Sequence, residues 1–369
     1  MRVHNIVLTG GPCGGKTTAI SYLVQKLQEI GFFVIVVPES ATLCISAGIS
    51  PISEVVGPDI AQRAIIQTAY NLEEIFRGTA YLLKKDVVIL HDRGITDCRA
   101  YTELGKFDSL IKQLGMNIVS CRDDRYDAVF HLVTAADGAE EYYTLANNSA
   151  RYETAEEARK KDREIINAWT GHPHLRMIDN STDFEGKLRR LRQEVCSFLG
   201  IPVPIEKERK FLVRVDWSKI PEDAQEVEIE QVYLAGSEDG RVLRLRKRGQ
   251  FGFYTYYETT KIDTEKMDER VEFEHKITEA EYNFGIRLIQ KGTSPVRKKR
   301  TCFFYKDQYF ELDNFGGLSE NILGADDLLL LELESTSFSR EISFPEWVDV
   351  VKDVTGDSKF SNHEISKRI

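Results

Sequence analysis

The sequence predicts two domains in series: a parallel α/β sheet with helices on both faces over residues 1–202, then a mainly antiparallel β tunnel or barrel over residues 203–369. Three observations predict this. Short apolar runs alternate with longer helical stretches throughout the first half. The run Gly200-Ile201-Pro202-Val203-Pro204 then breaks the last helix with a stiff extended connector. Beyond it, period-2 segments follow one another between turn signals such as Glu238-Asp239-Gly240 and Phe315-Gly316-Gly317. At roughly 150 residues per domain, 369 residues suffice for two cores.

In order along the chain, buried strands are expected at 5–8, 32–37, 87–90, 128–133 and 175–178, each an apolar run too short for a helix. Helical periodicity marks 16–30, 60–83, 155–169 and 184–199. In the second half, alternation predicts strands at 207–215, 226–234, 241–248, 253–261, 270–277, 298–305, 308–312 and 328–336, with a short helix near 345–355 at the end.

Composition narrows the function. Forty-nine Lys and Arg against 59 Asp and Glu leave a net charge of −10, which excludes bulk attraction to nucleic acid. Any polyanion must therefore be held by a local basic site. The longest apolar run, 32–37, is too short to span a bilayer, and the N-terminus has no signal-peptide core. Cys13, Cys44, Cys98, Cys121, Cys196 and Cys302 form no Cys-x-x-Cys pair and imply reduced thiols. A cytoplasmic protein is expected, with peripheral membrane contact left open.

Gly10-Gly11-Pro12-Cys13-Gly14-Gly15-Lys16-Thr17 satisfies G-x-x-x-x-G-K-[ST] at every fixed position, after a strand and before a helix. Glycines let backbone N–H groups converge on phosphate oxygens. Lys16 then reaches the β- and γ-phosphates, and Thr17 ligates Mg²⁺ (or Mn²⁺), with Thr18 completing the nucleotide cradle. The apolar run 87–91 ends in Asp92, a carboxylate placed to hold the metal's water shell or to accept a proton from a substrate hydroxyl. Arg93 and Asp97 follow on a loop, and Glu39 ends the second strand. Arg151 and Arg159 lie on or beside a charged helical stretch suited to clamping phosphate, while Asp179 and Asn180 end the fifth strand and border the base. GTP and ATP both fit this set. Thr260-Lys261-Ile262-Asp263 matches a guanine-reading pattern, but it falls in the other domain and carries no weight.

In the second half, charges recur at i, i+2: Glu206, Glu208 and Lys210; Arg244 and Arg246; Arg270, Glu272 and Glu274; Lys298 and Arg300; Glu311 and Asp313; Glu332 and Glu334, and the residues between them are often apolar, as at Leu245, Val271, Phe273, Leu312 and Leu333. An apolar outer face and a charged inner face describe a barrel with a polar interior. Charges buried there must pair or meet a ligand. Arginines and lysines suit phosphate oxygens, and carboxylates suit Mg²⁺ or Mn²⁺.

Two family resemblances follow from these motifs. The glycine-rich loop, Pro38-Glu39-Ser40, His91-Asp92-Arg93-Gly94 with Asp97, and Ile178-Asp179-Asn180 resemble the AAA-type NTPases related to the ribosylnicotinamide-kinase domain. Glu206-x-Glu208-x-Lys210 and the later charge pairs, with Lys261 and Lys359, resemble the CYTH or triphosphate-tunnel superfamily. That resemblance implies triphosphate binding through Lys210, Arg244, Arg246, Lys261, Arg270, Lys298, Arg300 and Lys359. Divalent metal is implied at Glu206, Glu208, Glu272, Glu274, Glu311, Asp313, Glu332 and Glu334. The two together resemble the TRPL translocation defect protein family. This implies a GTP-binding regulator that also binds phosphatidic acid and acts in trafficking of a TRP-like channel and rhodopsin. The residues themselves equally allow a bifunctional enzyme, a small-molecule kinase joined to a triphosphatase. Arg297-Lys298-Lys299-Arg300 and Arg189-Arg190 with Arg192 are candidate membrane-facing clusters.

Overall fold

Five parallel strands make the first sheet: β1 (Val3–Thr9), β2 (Phe33–Val37), β3 (Val87–Asp92), β4 (Ala128–Leu132) and β5 (Leu175–Ile178), in the order β2-β3-β1-β4-β5. The computed structural model describes residues 2–103, 105–140, 154–202, 205–237, 241–266, 269–306, 308–316, 328–334 and 341–368, with backbone alone at 205 and 206. They divide into two units, residues 1–192 and 193–369. The division falls within the helix that precedes the proline-bearing connector.

Strands β1, β3 and β4 lie inside the sheet and are buried on both faces, which is why their sequences read as unbroken apolar runs. Register runs from Val3 opposite Val87 to Leu8 opposite Asp92, and from Ile6 opposite Ala128 to Thr9 opposite His131. Parallel register brings the strands' C-terminal ends to one edge of the sheet, where the P-loop, Asp92, Glu39 and Asp179 all emerge.

Helices α1 (Lys16–Glu29), α3 (Gly57–Leu82), α5 (Ala155–Trp169) and α6 (Phe184–Phe198) match the periodicity. Thr154 starts α5 through a reciprocal capping box with Glu157. Helices α2 (Ser40–Ser46) and α4 (Lys106–Gln113), and a 3-10 turn at Ile95–Tyr101, were not anticipated. One or two turns are too short to display a helical period.

The second unit is a barrel of β6 (Ile205–Val215), β7 (Gln225–Tyr233), β8 (Arg241–Gln250), β9 (Phe253–Asp263), β10 (Glu269–Ile277), β11 (Val296–Tyr305), β12 (Gln308–Asn314), β13 (Leu329–Glu334) and β14 (Val348–Asp353). Their order is β10-β9-β8-β7-β11-β12-β13-β6-β14, and a further β10–β6 pairing closes every strand except β14 into a cylinder. Closure rests on Ile205, Glu206 and Lys207 opposite Val271, Arg270 and Glu269. Farther along the same edge of β6, residues 211–215 pair with β14.

The helix expected near 345–355 is corrected to strand β14. Val348, Val350 and Val351 favour a pleated backbone, and the free edge of β6 supplies the hydrogen-bond partners. Two short helices, α7 (Glu279–Gly285) and α8 (Asn362–Ser366), complete the unit. Outside the charged lumen, Phe211, Phe303, Phe310, Leu312, Leu331 and Leu333 build an apolar layer closed by Phe344 and Trp347. No described helix is long and apolar enough to cross a membrane.

Candidate functional site

The loop after β1 packs against the end of β4 so closely that its sequence is dictated. A Cβ on Gly10 would lie 2.1 Å from the Leu132 carbonyl oxygen, and the residue adopts φ 142°. Gly15, at φ 84°, would meet the Phe184 ring at 2.5 Å. Thr134 Oγ1 donates to the Pro12 carbonyl, and the Ala135 N–H donates to the Cys13 carbonyl at 3.3 Å. Lys16 Nζ folds back onto the carbonyls of Gly10 (2.9 Å) and Gly11 (3.2 Å). Burial, reinforced by Arg93, pulls its ammonium down to about 8 against the opposing pull of Glu39, Asp92 and Asp97. Thr17 and Thr18 are exposed at the start of α1, where free backbone N–H groups and the helix dipole favour phosphate.

Beside the loop stands a carboxylate cluster. Arg93, itself in the left-handed region at φ 68°, donates from Nε to Glu39 at 2.6 Å and from Nη1 to Asp97 at 3.4 Å. Asp97 also accepts from the Gly94 N–H at 2.8 Å and from Thr9 Oγ1. Burial pushes Glu39 up, but Arg93, the Thr42 hydroxyl and Lys16 outweigh it and hold the carboxyl low. Asp92 is different: its Oδ1 is buried with no hydrogen-bond partner among the described residues. Burial and the nearby Glu39 raise its carboxyl despite Lys16 and Arg93. An unpaired acceptor beside a phosphate cradle suits a metal-bound water or a hydroxyl to be deprotonated.

Several expected base and clamp residues are engaged within the protein. Asn180 donates to the carbonyls of Thr134 (2.8 Å) and Asp137 (2.6 Å), and Asp179 accepts from Arg190 at 2.8 Å. Arg159 Nη1 donates to the Ala136 carbonyl at 2.7 Å, at the rim of the same edge. Arg151 lies outside the described residues. Sequence reasoning missed Lys187, a buried amine on α6 that donates to the Val133 carbonyl (2.6 Å) and to Asn180 (2.7 Å). Burial lowers it to about 8. It also missed Asp162 of α5, which accepts from the Gly11 N–H. Neither residue belongs to a local motif.

In the barrel the charges do face inward, and they pair. Lys210 bridges Glu208 (2.8 Å) and Glu332 (2.9 Å), and Arg300 contacts Asp313 (2.7 Å), Glu332 (2.6 Å) and Glu311. Lys298 pairs with Asp313. On the adjoining strands β8 to β10, Lys261 meets Glu272 at 3.0 Å, Arg244 meets Glu272 at 3.3 Å, and Arg246 meets Glu274 at 2.6 Å. Burial would raise Glu332, but Lys210, Lys298 and Arg300 hold it well below the ordinary carboxylate range. Burial does raise Glu311, to which Glu334 and Glu332 add. The Nε atoms of Arg244 and Arg246 are buried donors without acceptors among the described residues, a fit for an anion. Glu334 stands opposite Glu208 in register.

Two placements depart from an all-inward set. Arg270 lies at the closing seam, its side chain 37% exposed and paired with Asp263 at 3.0 Å. Lys359 is exposed on a turn at Ser358–Phe360. The side chain of Glu206 lies outside the described residues. The basic clusters are also largely spent: Lys298 and Arg300 turn inward, Arg297 and Lys299 pair with Glu230 and Glu226, and Arg189 pairs with Glu185.

No group of three His, Cys, Asp or Glu side chains converges as a metal cage among the described residues. Mg²⁺ at a phosphate site needs only one or two protein oxygens alongside the phosphates, and Thr17 with Asp92 fits that chemistry. In the barrel, Glu208 and Glu332 are instead engaged by Lys210, and Glu332 also by Arg300.

No curated protein matches the chain. Among solved structures it is similar to "the hypothetical protein NE1496" (30% identity, 44% of this chain, 99% of that one, TM-score 0.31). It is also similar to "the inorganic triphosphatase NE1496" (28% identity, 44% and 95%, TM-score 0.31). A third is the PH1012 protein from Pyrococcus horikoshii OT3 (26% identity, 36% and 80%, TM-score 0.26). The family model described as "AAA domain" matches residues 5–187, the stretch that holds the glycine-rich loop, Asp92 and the five-stranded sheet. Over those residues the chain carries an AAA domain of the P-loop type.

Proposed function

We propose that the chain is a nucleotide-dependent regulator. Its first unit binds a nucleoside triphosphate with Mg²⁺, and its barrel takes an anionic phosphate ligand. The nucleotide is GTP, the barrel ligand is a triphosphate or the phosphomonoester headgroup of phosphatidic acid, and the setting is trafficking of membrane proteins at a membrane surface; these specifics come from the family resemblance. The observation that carries the reading is the loop around Lys16. Glycines are forced by close approach to β4, and a partly neutral lysine is folded on the loop's own carbonyls, ready to turn to a polyphosphate. Titration of GTP and ATP into wild type and Lys16→Ala tests it: binding lost in the variant supports the site, and equal binding refutes it. Co-sedimentation with phosphatidic-acid vesicles, with tripolyphosphate as competitor, tests the barrel ligand.

One observation favours a second reading, a phosphotransferase joined to a triphosphatase: the unpartnered Asp92 Oδ1 beside the cradle. In that reading Asp92 takes the proton of an acceptor hydroxyl as the γ-phosphoryl group transfers. Phosphate release from GTP, ATP and tripolyphosphate, compared across wild type, Lys16→Ala and Lys261→Ala, separates the two. Turnover of about 1 per second or faster marks an enzyme, and the variant that loses it identifies the unit responsible.

A further inference from the structure

The back of the phosphate loop is held by a residue more than 150 positions away in sequence. The Gly11 N–H donates to Asp162 Oδ1 at 2.5 Å, and His131 Nε2 stands 3.0 Å from the same oxygen. Both side chains are buried, Asp162 4% exposed and His131 fully enclosed. A Cβ on residue 11 would fall 2.5 Å from that oxygen, so only glycine lets α5 approach this closely. His131 Nδ1 has no partner among the described residues. A hydrogen on Nε2 points straight at Asp162.

A carboxylate beside a polyanion site would ordinarily repel its ligand. Here the charge is spent on three donors, the amides of Gly11 and Thr134 and the His131 ring. Burial pushes the Asp162 carboxyl up, and these donors more than offset it. Lys187 lies near enough to add a positive charge. Helix α5, strand β4 and helix α6 thus brace the loop from behind, leaving the N–H groups at the start of α1 for phosphate.

We propose that Asp162 is a positioning residue for nucleotide binding: it pins the Gly11 amide and, held in turn by His131, keeps the phosphate loop in its binding shape before the ligand arrives. The proposal rests on the nucleotide-binding reading of the first unit. Without the brace, ordering the loop becomes part of the cost of binding. A buried hydrogen bond to a charged acceptor is worth on the order of tenfold to a hundredfold in an equilibrium constant.

The test compares full-length wild type, Asp162→Ala, Asp162→Asn and Lys16→Ala by equilibrium titration with a fluorescent GTP analogue, alongside thermal unfolding and hydrogen exchange at the Gly11 amide. Asp162→Ala should weaken binding about tenfold to a hundredfold and expose the Gly11 amide to exchange. Asp162→Asn, which keeps an oxygen for Gly11, should recover most of the affinity. A folded Asp162→Ala chain binding within about twofold of wild type would overturn the proposal. So would a Gly11 amide that exchanges equally slowly in Asp162→Asn and Asp162→Ala. If Asp162→Ala fails to fold, Asp162→Asn with wild-type affinity but a freely exchanging Gly11 amide also overturns it. Wild type binding no better than Lys16→Ala would instead overturn the nucleotide-binding reading, and this inference with it.

Discussion

Nucleotide binding should take up a proton on the alkaline side of neutrality, because Lys16 sits at about 8 in the free chain rather than its usual 10.5. A bound polyphosphate supplies the negative charge the buried ammonium lacks and returns the group to its charged form. At pH 9 a group titrating at about 8 is roughly one-tenth protonated, so binding draws in about 0.9 proton. At pH 6.5 it draws in almost none through this group. The same arithmetic makes the apparent affinity about eightfold weaker at pH 9 than at pH 7.5. The sign of the stability effect is fixed too. The folded chain holds this proton less tightly than the unfolded one, so the nucleotide-free protein gains stability as pH rises from about 8 towards 10.5. Calorimetric titration of GTP in buffers of differing ionisation enthalpy reads the proton count directly. Lys16→Met should bind weakly at every pH and show no proton uptake. A wild-type affinity that stays flat from pH 7.5 to 9, with no buffer dependence, would refute this account of Lys16.

Four further outcomes are expected. Gly10→Ala should weaken nucleotide binding at least about tenfold and lower the melting temperature, because its Cβ would lie 2.1 Å from the Leu132 carbonyl oxygen at a φ that side chains avoid; titration and thermal scans check it. Arg300→Met leaves Glu311 buried without its ion-pair partner, and Asp313 and Glu332 with only Lys298 and Lys210, and should cost about 3–5 kcal/mol, read as faster amide exchange in β11, β12 and β13. The barrel should lose stability as pH falls below the ordinary 4.5 of a glutamate, since Glu332 is held low by Lys210, Lys298 and Arg300 and its contribution vanishes as it is protonated. Glu311, raised by burial, opposes this term; fluorescence of Trp347, packed on Phe303, follows the sum. Asp92→Asn should leave GTP affinity within about threefold while removing any phosphoryl transfer, a split between binding and turnover that steady-state kinetics resolves.

Much of the fold was legible because it is written in local periodicity. The first sheet's strands read as apolar runs since each interior strand is covered on both faces, and β6 to β13 read as alternation since a charged lumen opposes an apolar jacket. What failed was short or conditional. Residues 348–353 carry enough polar positions to resemble a helix, and only the free edge of β6 makes them a strand. Lys16, Glu39, Asp92, Arg93 and Asp97 were legible because each ends or follows a strand whose C-terminus faces the same sheet edge. Asn180 and Asp179 were found at that edge, yet their side chains lace the protein together, and spacing does not distinguish a ligand contact from a brace. Asp162 and Lys187 gave no signal: each is one polar residue in a charged helix, singled out only when distant segments meet.

The three partners of β6 give the barrel a particular order of birth. Its pairings reach β10, β13 and β14, all far downstream, with Glu208 waiting for Glu334. At usual elongation rates, the roughly 125 residues between them take about 6 to 25 s to synthesise. During that interval β7 to β10 can zip as neighbouring hairpins, while the strand carrying Glu208 and Lys210 still lacks β13 and β14. The growing barrel therefore exposes a ribbon with open edges at its own oldest strand. That ribbon's charged side chains are a protection in this setting, since charges on a bare edge, lysine above all, blunt it against pairing between nascent chains. The residues lining the finished lumen would then have guarded the chain before there was any lumen to line.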